Sequence, residues 1–312
     1  MLRYVIRRIL YAVPILIGVL LLTFFLFFGT QSPETIARRN LSSRNPTQAQ
    51  IKQWLDDHGY NKPIGEQLKR STVDMLAFNF GKSDASQEDI WTRVKQGAGP
   101  SGVIGGLIFI SSVSTALFFA IAVAYFRGTY IDSYATAICV LLMSINAVVY
   151  VIALQFFMAK MLRYGPVWGY DPDSLARFVL IPVVVGVMQG LGSEVRLYRT
   201  FLLDEINQDY VRTARAKGVP EAMVLLKHVL KNSMIPLITS NVSAIPRLIL
   251  GSILIESFFG IPGLGNYLVD AITSQDFAII RAMVFLGTLL YIVGNIITDV
   301  CYALVDPRIR LE

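Results

Sequence analysis

Long apolar runs without charge alternate with polar stretches along the chain. Three runs of 20 residues or more are each long enough to cross about 30 Å of hydrocarbon as a helix. They are 9–28, 103–126 and 133–159. Three further apolar segments are shorter or contain one charge: 178–193, 232–255 with Arg247, and 282–305 with Asp299. The pattern predicts six membrane-spanning helices.

The composition agrees with a membrane protein. Hydrophobic residues make up 54% of the 312 residues and charged residues only 16%, which is too apolar for an ordinary soluble domain. A transmembrane β-barrel is disfavoured, because its strands alternate in polarity over about ten residues. We therefore predict an all-α polytopic membrane protein with six transmembrane helices. The basic start resembles a signal peptide, but bulky aromatics at 24–28 predict that the first helix is retained.

A polar stretch, 29–102, separates the first two apolar runs. Within it, the spacing of apolar residues predicts short helices over 48–57 and 64–76, joined by a turn at 59–63. We therefore divide the chain into three parts. They are 1–28, the N-terminal tail and first transmembrane helix; 29–102, an extracytoplasmic loop that could be partly folded; and 103–312, a core with five transmembrane helices.

The distribution of positive charge predicts the orientation in the membrane. With the N-terminus inside, the inner segments hold thirteen Lys and Arg residues, whereas the short outer segments hold four. Because Lys and Arg accumulate in short cytoplasmic segments, both termini are predicted to lie in the cytoplasm. The longest inner segment, 194–231, then joins the fourth and fifth helices. The net charge of +6 reflects this topology, and we predict no nucleic-acid partner.

Catalytic and metal-binding residues are scarce in this sequence. Cys139 and Cys301 fall inside apolar runs, and the two histidines are His58 and His228, so no disulfide framework, metal site or catalytic triad is predicted. No GxxxxGK[ST] loop for ATP occurs. We therefore predict a chain that is not an enzyme and has no cofactor of its own. Active transport would need either an ion gradient or an ATPase on another subunit.

Four ionisable residues lie in or beside the apolar runs: Glu194, Arg247, Glu256 and Asp299. Arg247 is near the middle of its run, where a charge facing lipid is costly. It therefore lines a water-filled path or contacts a partner subunit, or else it snorkels or pairs structurally. We take Arg247 and Glu256 as candidates for the translocation path. The alternative for the three carboxylates is a position at span ends, among the lipid headgroups.

The longest inner segment has the features of two short helices joined by a sharp turn. Residues 204–218 are mostly good helix formers, Gly218 can end a helix, and Pro220 can open the next one. Ala214 and Ala216 would keep one surface small, with basic residues around it. Such a surface suits insertion into a groove on another protein. An ordinary basic loop is the alternative.

Several stretches of the chain contain specific motifs. The most specific is DYVRTARAKGV at 209–219, followed by LKHVLKN at 226–232 and Ile235-Pro236. It resembles the cytoplasmic EAA loop of permeases of the dipeptide, oligopeptide and nickel family of ABC importers. The others are MLRYVIRR at 1–8 with Pro14, ESFFGIPGLG at 256–265 and DVCYALVDPRIR at 299–310. The chain departs from the family at 29–33, at the Gly-rich 97–102, and at 144–146, where the usual proline of the third span is absent.

The resemblance implies a multi-subunit assembly in the bacterial inner membrane. The expected partners are membrane lipid, a second permease subunit that is normally a different chain, two ATPase subunits that bind ATP and Mg, and an extracytoplasmic solute-binding protein. It also implies an interface that couples this chain to the ATPase. The residues of that interface would be Arg212, Thr213, Ala214, Arg215, Ala216, Lys217, Gly218 and Val219.

The sequence thus predicts the transmembrane permease subunit of a binding-protein-dependent ABC importer for peptides or related small solutes. The alternative from a different class is a gradient-driven secondary transporter that uses Arg247, Glu256 and Asp299. It is disfavoured because no inverted repeat or pair of broken helices is evident. A scaffold of another membrane complex is the third possibility, and it does not account for the segment that resembles the EAA loop.

Overall fold

The computed structural model describes residues 2–30, 32–41, 46–57, 59–242 and 252–305. This part of the chain is mostly helical, with one isolated antiparallel bridge between Lys82 and Asp89. The first half contains α1 (Leu2–Thr30), α2 (Pro33–Asn40), α3 (Gln48–Asp57), α4 (Ile64–Leu76), α5 (Ile90–Tyr125), α6 (Tyr130–Ser144) and α7 (Ala147–Leu154), which continues as a π-helix over Gln155–Met161. The second half contains α8 (Leu175–Ile206), α9 (Asp209–Ala216), α10 (Glu221–Met223) with a π-helix over Val224–Val229, α11 (Leu230–Val242), α12 (Ile253–Phe259), α13 (Leu264–Thr273) and α14 (Phe277–Val305).

Four described helices are long and apolar enough to cross a membrane, and a bent pair could form a fifth span. The four are Leu10–Phe27 within α1, the whole of α5, the whole of α8, and Phe277–Thr298 within α14; the bent pair joins α6 to α7 and its π-helix. The protein is therefore an all-α, multi-pass membrane protein. The segment 232–255 falls partly on 243–251, outside the described residues. The count of six spans stays a prediction.

The apolar run 133–159 predicts one continuous helix, and this prediction is wrong. The structure bends the run by 95° between α6 and α7. Ile145 has an extended backbone, with φ −82° and ψ 128°, and the Asn146 side chain accepts a hydrogen bond from the Val148 N–H at 2.9 Å. Asn146 thereby caps the start of α7, since Asn offers an exposed N–H group an acceptor outside the helical ladder.

Helices α5 and α8 extend furthest beyond the apolar runs that predict them. Helix α8 extends past 178–193 at both ends, to Leu175–Ile206. Helix α5 begins 13 residues before position 103, because the Asp89 carboxylate accepts a hydrogen bond from the Thr92 N–H at 2.7 Å and caps the helix. The Gly-rich stretch 97–102 is thus helical, and α5 crosses the predicted boundary at residue 102. A Cβ on Gly97 would lie 3.3 Å from backbone atoms of Gly263 and Leu264, so glycine lets α5 approach the start of α13 closely.

The stretch between α1 and α5 is folded over much of its length. The predicted helices at 48–57 and 64–76 are confirmed with the same bounds. Ala37, Ile51 and Leu55 form a small buried core against which Trp54 and Tyr60 pack.

The end of this stretch is anchored to the start of α14. The buried Ser83 hydroxyl donates a hydrogen bond to the carboxylate of Asp276, the residue before α14. The same carboxylate accepts the Ala85 N–H at 3.1 Å. These bonds hold the segment before α5 against the last membrane helix.

The two ends of the helical bundle carry different elements. Helix α1 packs against α14 in the opposite direction, with the rings of Phe27 and Phe277 5.1 Å apart at the end where α2–α4 lie. Helix α5 starts at the same end and reaches the opposite end near Arg127, which contacts Glu221 of α10. The elements α2–α4 and α9–α10 therefore lie at opposite ends of the bundle, which we name the α2–α4 end and the α9–α10 end.

The main membrane-spanning contact joins α5 to α8. Small residues of α5, including Ala116, Ala120 and Ala124, are fully buried against α8 side chains such as Tyr198 and Leu202. Small residues let two helix backbones approach closely, and close packing is the main source of helix association in lipid. Buried residues of α9 and of the π-helix after α10 pack in the same cluster as this helix pair.

Candidate functional site

The segment from α9 to α10 contains the tight turn that the sequence predicts, but only α9 is a separate short helix. Residues 204–206 belong to α8, and α10 continues through its π-helix into α11. Gly218 has φ +76°, in the left-handed region that favours glycine, and ends α9. Its N–H donates to the Arg215 carbonyl at 2.9 Å, and the Val219 N–H donates to the Ala214 carbonyl at 3.3 Å. These bonds satisfy carbonyls that the end of a helix leaves free.

One face of α9 is buried in the membrane-spanning core. Val211 is fully buried and Ala214 is 5% exposed, and both pack in the same cluster as Leu202 and Leu225. The sequence predicts Ala214 and Ala216 on one small exposed surface, and the structure corrects this prediction for Ala214. The two residues are two positions apart, about 200° around a helix, so only one can face outward.

Arg215 forms an internal ion pair instead of a free basic surface. Its Nε donates to Glu221 Oε2 at 3.0 Å and its Nη2 donates to Oε1 at 2.9 Å. Arg127 Nη1, from the segment after α5, donates to the same Oε1 at 3.2 Å. The hydrogen bonds from Arg215, with help from Arg127, hold the pKa of the Glu221 carboxyl below its usual range. The three side chains tie α9, α10 and the end of α5 into one unit.

Glu221 and Arg127 are absent from the interface that the sequence predicts. Glu221 carries a weak sequence signal, because it follows Pro220 directly and lies across the turn from Arg215. Arg127 is 94 residues away from Glu221 along the chain, and no local pattern links the two. The packing of α5 against α8 brings them together.

The opposite face of α9 is exposed. It presents Arg212, Thr213, Ala216, Lys217 and Gly218, and the Arg212 side chain is 71% exposed. We name these five residues the outer face of α9. Val219 is half-buried below them. Five of the eight interface residues predicted by resemblance therefore lie on this face. Ala214 and Arg215 instead contact other parts of this chain, and Val219 is the eighth.

An apolar groove adjoins α10 at the same end of the bundle. Its volume is about 410 Å³, and it is lined by Phe118, Ile121, Ala122, Tyr125 and Phe126 of the α5 end and by Ala222, Leu225 and Leu226. Met223 and Leu226 are both more than half exposed. The α9–α10 end therefore combines exposed cations on α9 with uncovered apolar side chains on α10 and its π-helix.

A second ion pair connects this end to α6. Arg199 of α8 donates to Asp132 of α6 at 2.8 Å, and both side chains are largely buried. The Asp132 carboxylate also accepts the Gly128 N–H at 3.1 Å, at the turn that follows α5. The ion pair and this hydrogen bond thus link α6 to α8 and to the turn after α5.

Glu256 lies in a buried polar cluster at the α2–α4 end. It is 1% exposed and accepts hydrogen bonds from the Ser101 hydroxyl at 2.7 Å, from the Gly265 N–H at 2.7 Å and from the Asn266 N–H at 3.1 Å. The Ser101 hydroxyl in turn accepts the Leu264 N–H at 2.8 Å. The carboxylate thereby caps α13 and joins it to α5. Its role in a translocation path stays a prediction.

The other ionisable candidates have different positions. Arg247 lies outside the described residues, and so does the side chain of Asp299, whose backbone belongs to α14. Glu194 lies within α8 and accepts a hydrogen bond from the Ser112 hydroxyl of α5 at 2.6 Å, so it is not at the end of its helix. Across the described ranges, no group of three or more His, Cys, Asp or Glu residues is arranged to hold a metal ion.

Comparison with known proteins identifies the family. The family described as "Binding-protein-dependent transport system inner membrane component" matches residues 116–311, which include α9 and α10. An oligopeptide transport system permease protein of Bacillus subtilis is 30% identical over 319 residues, covering 98% of this chain and 99% of the relative. A glutathione transport system permease protein of Salmonella paratyphi A is 32% identical over 314 residues, covering 100% of both chains. A probable peptide ABC transporter permease protein of Sinorhizobium fredii is 28% identical over 313 residues, covering 98% of this chain and 99% of the relative. The chain therefore belongs to the binding-protein-dependent transport system inner membrane components, as a permease of the peptide and oligopeptide ABC importer family.

Proposed function

We propose that this chain is the permease subunit that, together with a second and different permease chain, forms the path for peptides or related small solutes across the bacterial inner membrane. Two ATPase subunits, which bind ATP and Mg, drive the transport, and an extracytoplasmic solute-binding protein delivers the substrate. The relatives named for oligopeptide, peptide and glutathione transport support the peptide class. Both termini and the α9–α10 end face the cytoplasm in this proposal.

The observation that carries the proposal is the two-sided geometry of α9. Val211 and Ala214 are buried against the membrane-spanning core, whereas Arg212 and Lys217 project outward. A helix that is anchored on one side and exposed on the other can receive a movement from a partner and pass it to the bundle. Coupled rigid-body movement of this kind is a known mode of conformational change.

The residues around α9 support a rigid coupling element. The Glu221 carboxylate holds Arg215 and Arg127 together and so links α9 to the end of α5. The outer face of α9 is the proposed interface with an ATPase subunit, and the apolar groove beside α10 extends it. A partner surface with carboxylates around an apolar centre would be complementary to this combination.

A gradient-driven secondary transporter is the weaker alternative. Family membership favours an importer that depends on a binding protein. Glu256, which the alternative requires as a coupling group, has its carboxylate engaged by the Ser101 hydroxyl and by backbone N–H groups in a buried position. Arg247 stays a proposed residue of the translocation path.

The test is a charge reversal on the outer face of α9. Lys217→Glu should reduce co-purification of the ATPase and lower substrate-stimulated ATP hydrolysis in reconstituted membranes, because it places a like charge opposite a carboxylate-rich surface. Lys69→Glu is the matched control, since Lys69 is also exposed and lies on α4 at the other end of the bundle. Equal association and equal hydrolysis for the two variants, at equal expression, would reject the proposed interface.

A further inference from the structure

A cavity of about 480 Å³ lies at the α2–α4 end, between α1, α4 and α14. We name it the α1–α14 cavity. Phe24 and Phe27 of α1 and Phe277 of α14 line the side toward the membrane, and Trp54 and Tyr60 line the side toward the folded stretch. It is therefore an amphipathic space at the α2–α4 end, at the opposite end of the bundle from the outer face of α9.

Cations outnumber carboxylates on the walls of the cavity. Arg70, Lys82 and Arg281 line it, against Asp74 and Asp84. The Arg70 Nε lies 3.8 Å from the Asp74 Oδ2, and the Asp84 carboxylate accepts a hydrogen bond from the Ala278 N–H at 3.4 Å. The three cations and two carboxylates give the cavity walls a net charge of +1. The cavity therefore favours an anionic occupant.

Arg281 is the cation that is placed to bind such an anion. It makes no hydrogen bond and no ion pair with any residue in the described part of the chain. Its charge nevertheless acts within the cavity, because it opposes the rise in the pKa of the Tyr60 hydroxyl that burial causes. Arg281 and Tyr60 both line the cavity.

The position of Arg281 along α14 indicates which class of anion binds. Arg281 lies four residues after Phe277, about 6 Å along α14, inside the apolar span Phe277–Thr298. A cation at this depth is costly unless it reaches water or an anion at the boundary. Aromatic side chains such as Trp54 and Tyr60 are typical of the same boundary level. A phospholipid supplies an anionic phosphate at this level and acyl chains beside Phe24 and Phe27.

We propose that the α1–α14 cavity binds a membrane phospholipid, with Arg281 contacting the phosphate and the acyl chains lying along Phe24 and Phe27. Phosphatidylglycerol is preferred over phosphatidylcholine and phosphatidylethanolamine. It carries a net negative charge that compensates the net positive charge of the walls, whereas the other two headgroups are neutral overall. The bound lipid bridges the first and last membrane helices to the folded stretch between α1 and α5.

The experiment measures lipid retention by the complete transport complex. The complex is purified with its partner subunits, placed in nanodiscs of dioleoylphosphatidylcholine with a minor fraction of dioleoylphosphatidylglycerol, released in mild detergent and analysed by native mass spectrometry. We expect phosphatidylglycerol to be enriched on this chain relative to the nanodisc composition. Arg281→Gln should weaken its retention by about fivefold, the effect of one basic residue near a membrane surface, and Arg281→Lys should restore part of it.

Arg177→Gln is the matched control, because Arg177 is an exposed arginine in the first turn of α8, outside the cavity. It should leave lipid retention unchanged. Equal retention by Arg281→Gln and the unmodified complex would overturn the proposal. So would an absence of enrichment in the unmodified complex, a measurement that does not depend on how any variant folds.

Competition separates a lipid from other anions. Inorganic phosphate or glycerol phosphate that displaced the retained lipid at low concentration would assign the cavity to a free anion, and a peptide with a free C-terminus that did so would assign it to substrate. Either result would overturn the lipid assignment. Both outcomes are distinct from failure of the α9 interface, which is measured by ATPase association.

Discussion

The turn at Gly218 allows a sharp test of the coupling geometry. Gly218 has φ +76°, and a Cβ built at this position would meet no atom within 4 Å. An added Cβ therefore causes no clash within this chain. The only intramolecular free-energy cost is that of placing a non-glycine residue in the left-handed backbone conformation. Substitutions here separate backbone strain from loss of packing, two effects that most substitutions mix.

The magnitude follows from the conformation. Ala at a left-handed position costs about 1 kcal/mol relative to Gly, and a β-branched residue costs more. A difference of about 1 kcal/mol changes the ratio of the native turn to alternative conformations by roughly fivefold. We therefore expect Gly218→Val to reach the membrane but to associate poorly with the ATPase, with Gly218→Ala intermediate. Gly218→Asn should be closest to the unmodified protein, because Asn tolerates the left-handed region.

The assay is co-purification of the ATPase with each variant, together with substrate-stimulated ATP hydrolysis after reconstitution. Gly65→Ala is the control, since Gly65 lies in α4 at the other end of the bundle, has no positive φ and also leaves 4 Å of open space around an added Cβ. It should be neutral or slightly stabilising. Normal coupling in Gly218→Val would refute the role of the turn. Equal defects in Gly218→Asn and Gly218→Val would instead assign the effect to bulk on the partner-facing surface.

The remaining predictions concern the ion pair beneath the turn and the orientation of the chain. Glu221→Gln should lower stability by about 0.5 to 1 kcal/mol near neutral pH, a value reduced by solvent screening because a third of each side chain is exposed. Because the folded-state pKa of Glu221 is lowered, its contribution is present above the usual carboxyl range and is lost as pH falls through the lowered pKa. Thermal unfolding in detergent should therefore show the difference between variant and unmodified protein shrinking with acidification; a difference that is constant with pH would contradict this account. For the orientation, single cysteines at Ser86 and Gln208, in a background without Cys139 and Cys301, should react with an impermeant thiol reagent in intact spheroplasts at position 86 only. Both positions are exposed, whereas the nearby Ser83 is buried and unsuitable as a probe, and labelling at 208 would reverse the assigned topology.

The sequence alone determined the features that depend on local signals. It predicts the helices at 48–57 and 64–76 with the bounds that the structure has, because apolar spacing, prolines and polar turn residues act within a few positions. It predicts that Gly218 ends a helix for the same reason, and the positive φ of this residue agrees. The motif over 209–219 also points to the family, since its order and spacing are specific without any knowledge of packing.

The errors in the membrane spans arise where single polar or charged residues lie within or beside apolar runs. The run 133–159 is apolar enough to predict one helix, and a single Asn at 146 gives little warning that its side chain caps a second one. The end of α8 is predicted too early because Glu194, Arg196 and Arg199 interrupt the apolar run. In the folded protein these charges lie on a continuous helix, where Ser112 and Asp132 supply partners for two of them.

Only the tertiary structure decided which side of α9 faces outward and what holds it there. A segment of eight residues fixes the spacing of its side chains but not its rotation about the helix axis. Val211 and Ala214 pack in a buried cluster, mainly against the π-helix Val224–Val229, and this packing sets the rotation. It turns Arg215 toward Glu221 and leaves Arg212 and Lys217 exposed. The same holds for Arg127, which meets Glu221 across 94 residues because α5 and α8 pack together in the membrane. Contacts between distant segments follow from the burial of whole helices, and a local sequence pattern carries no record of them.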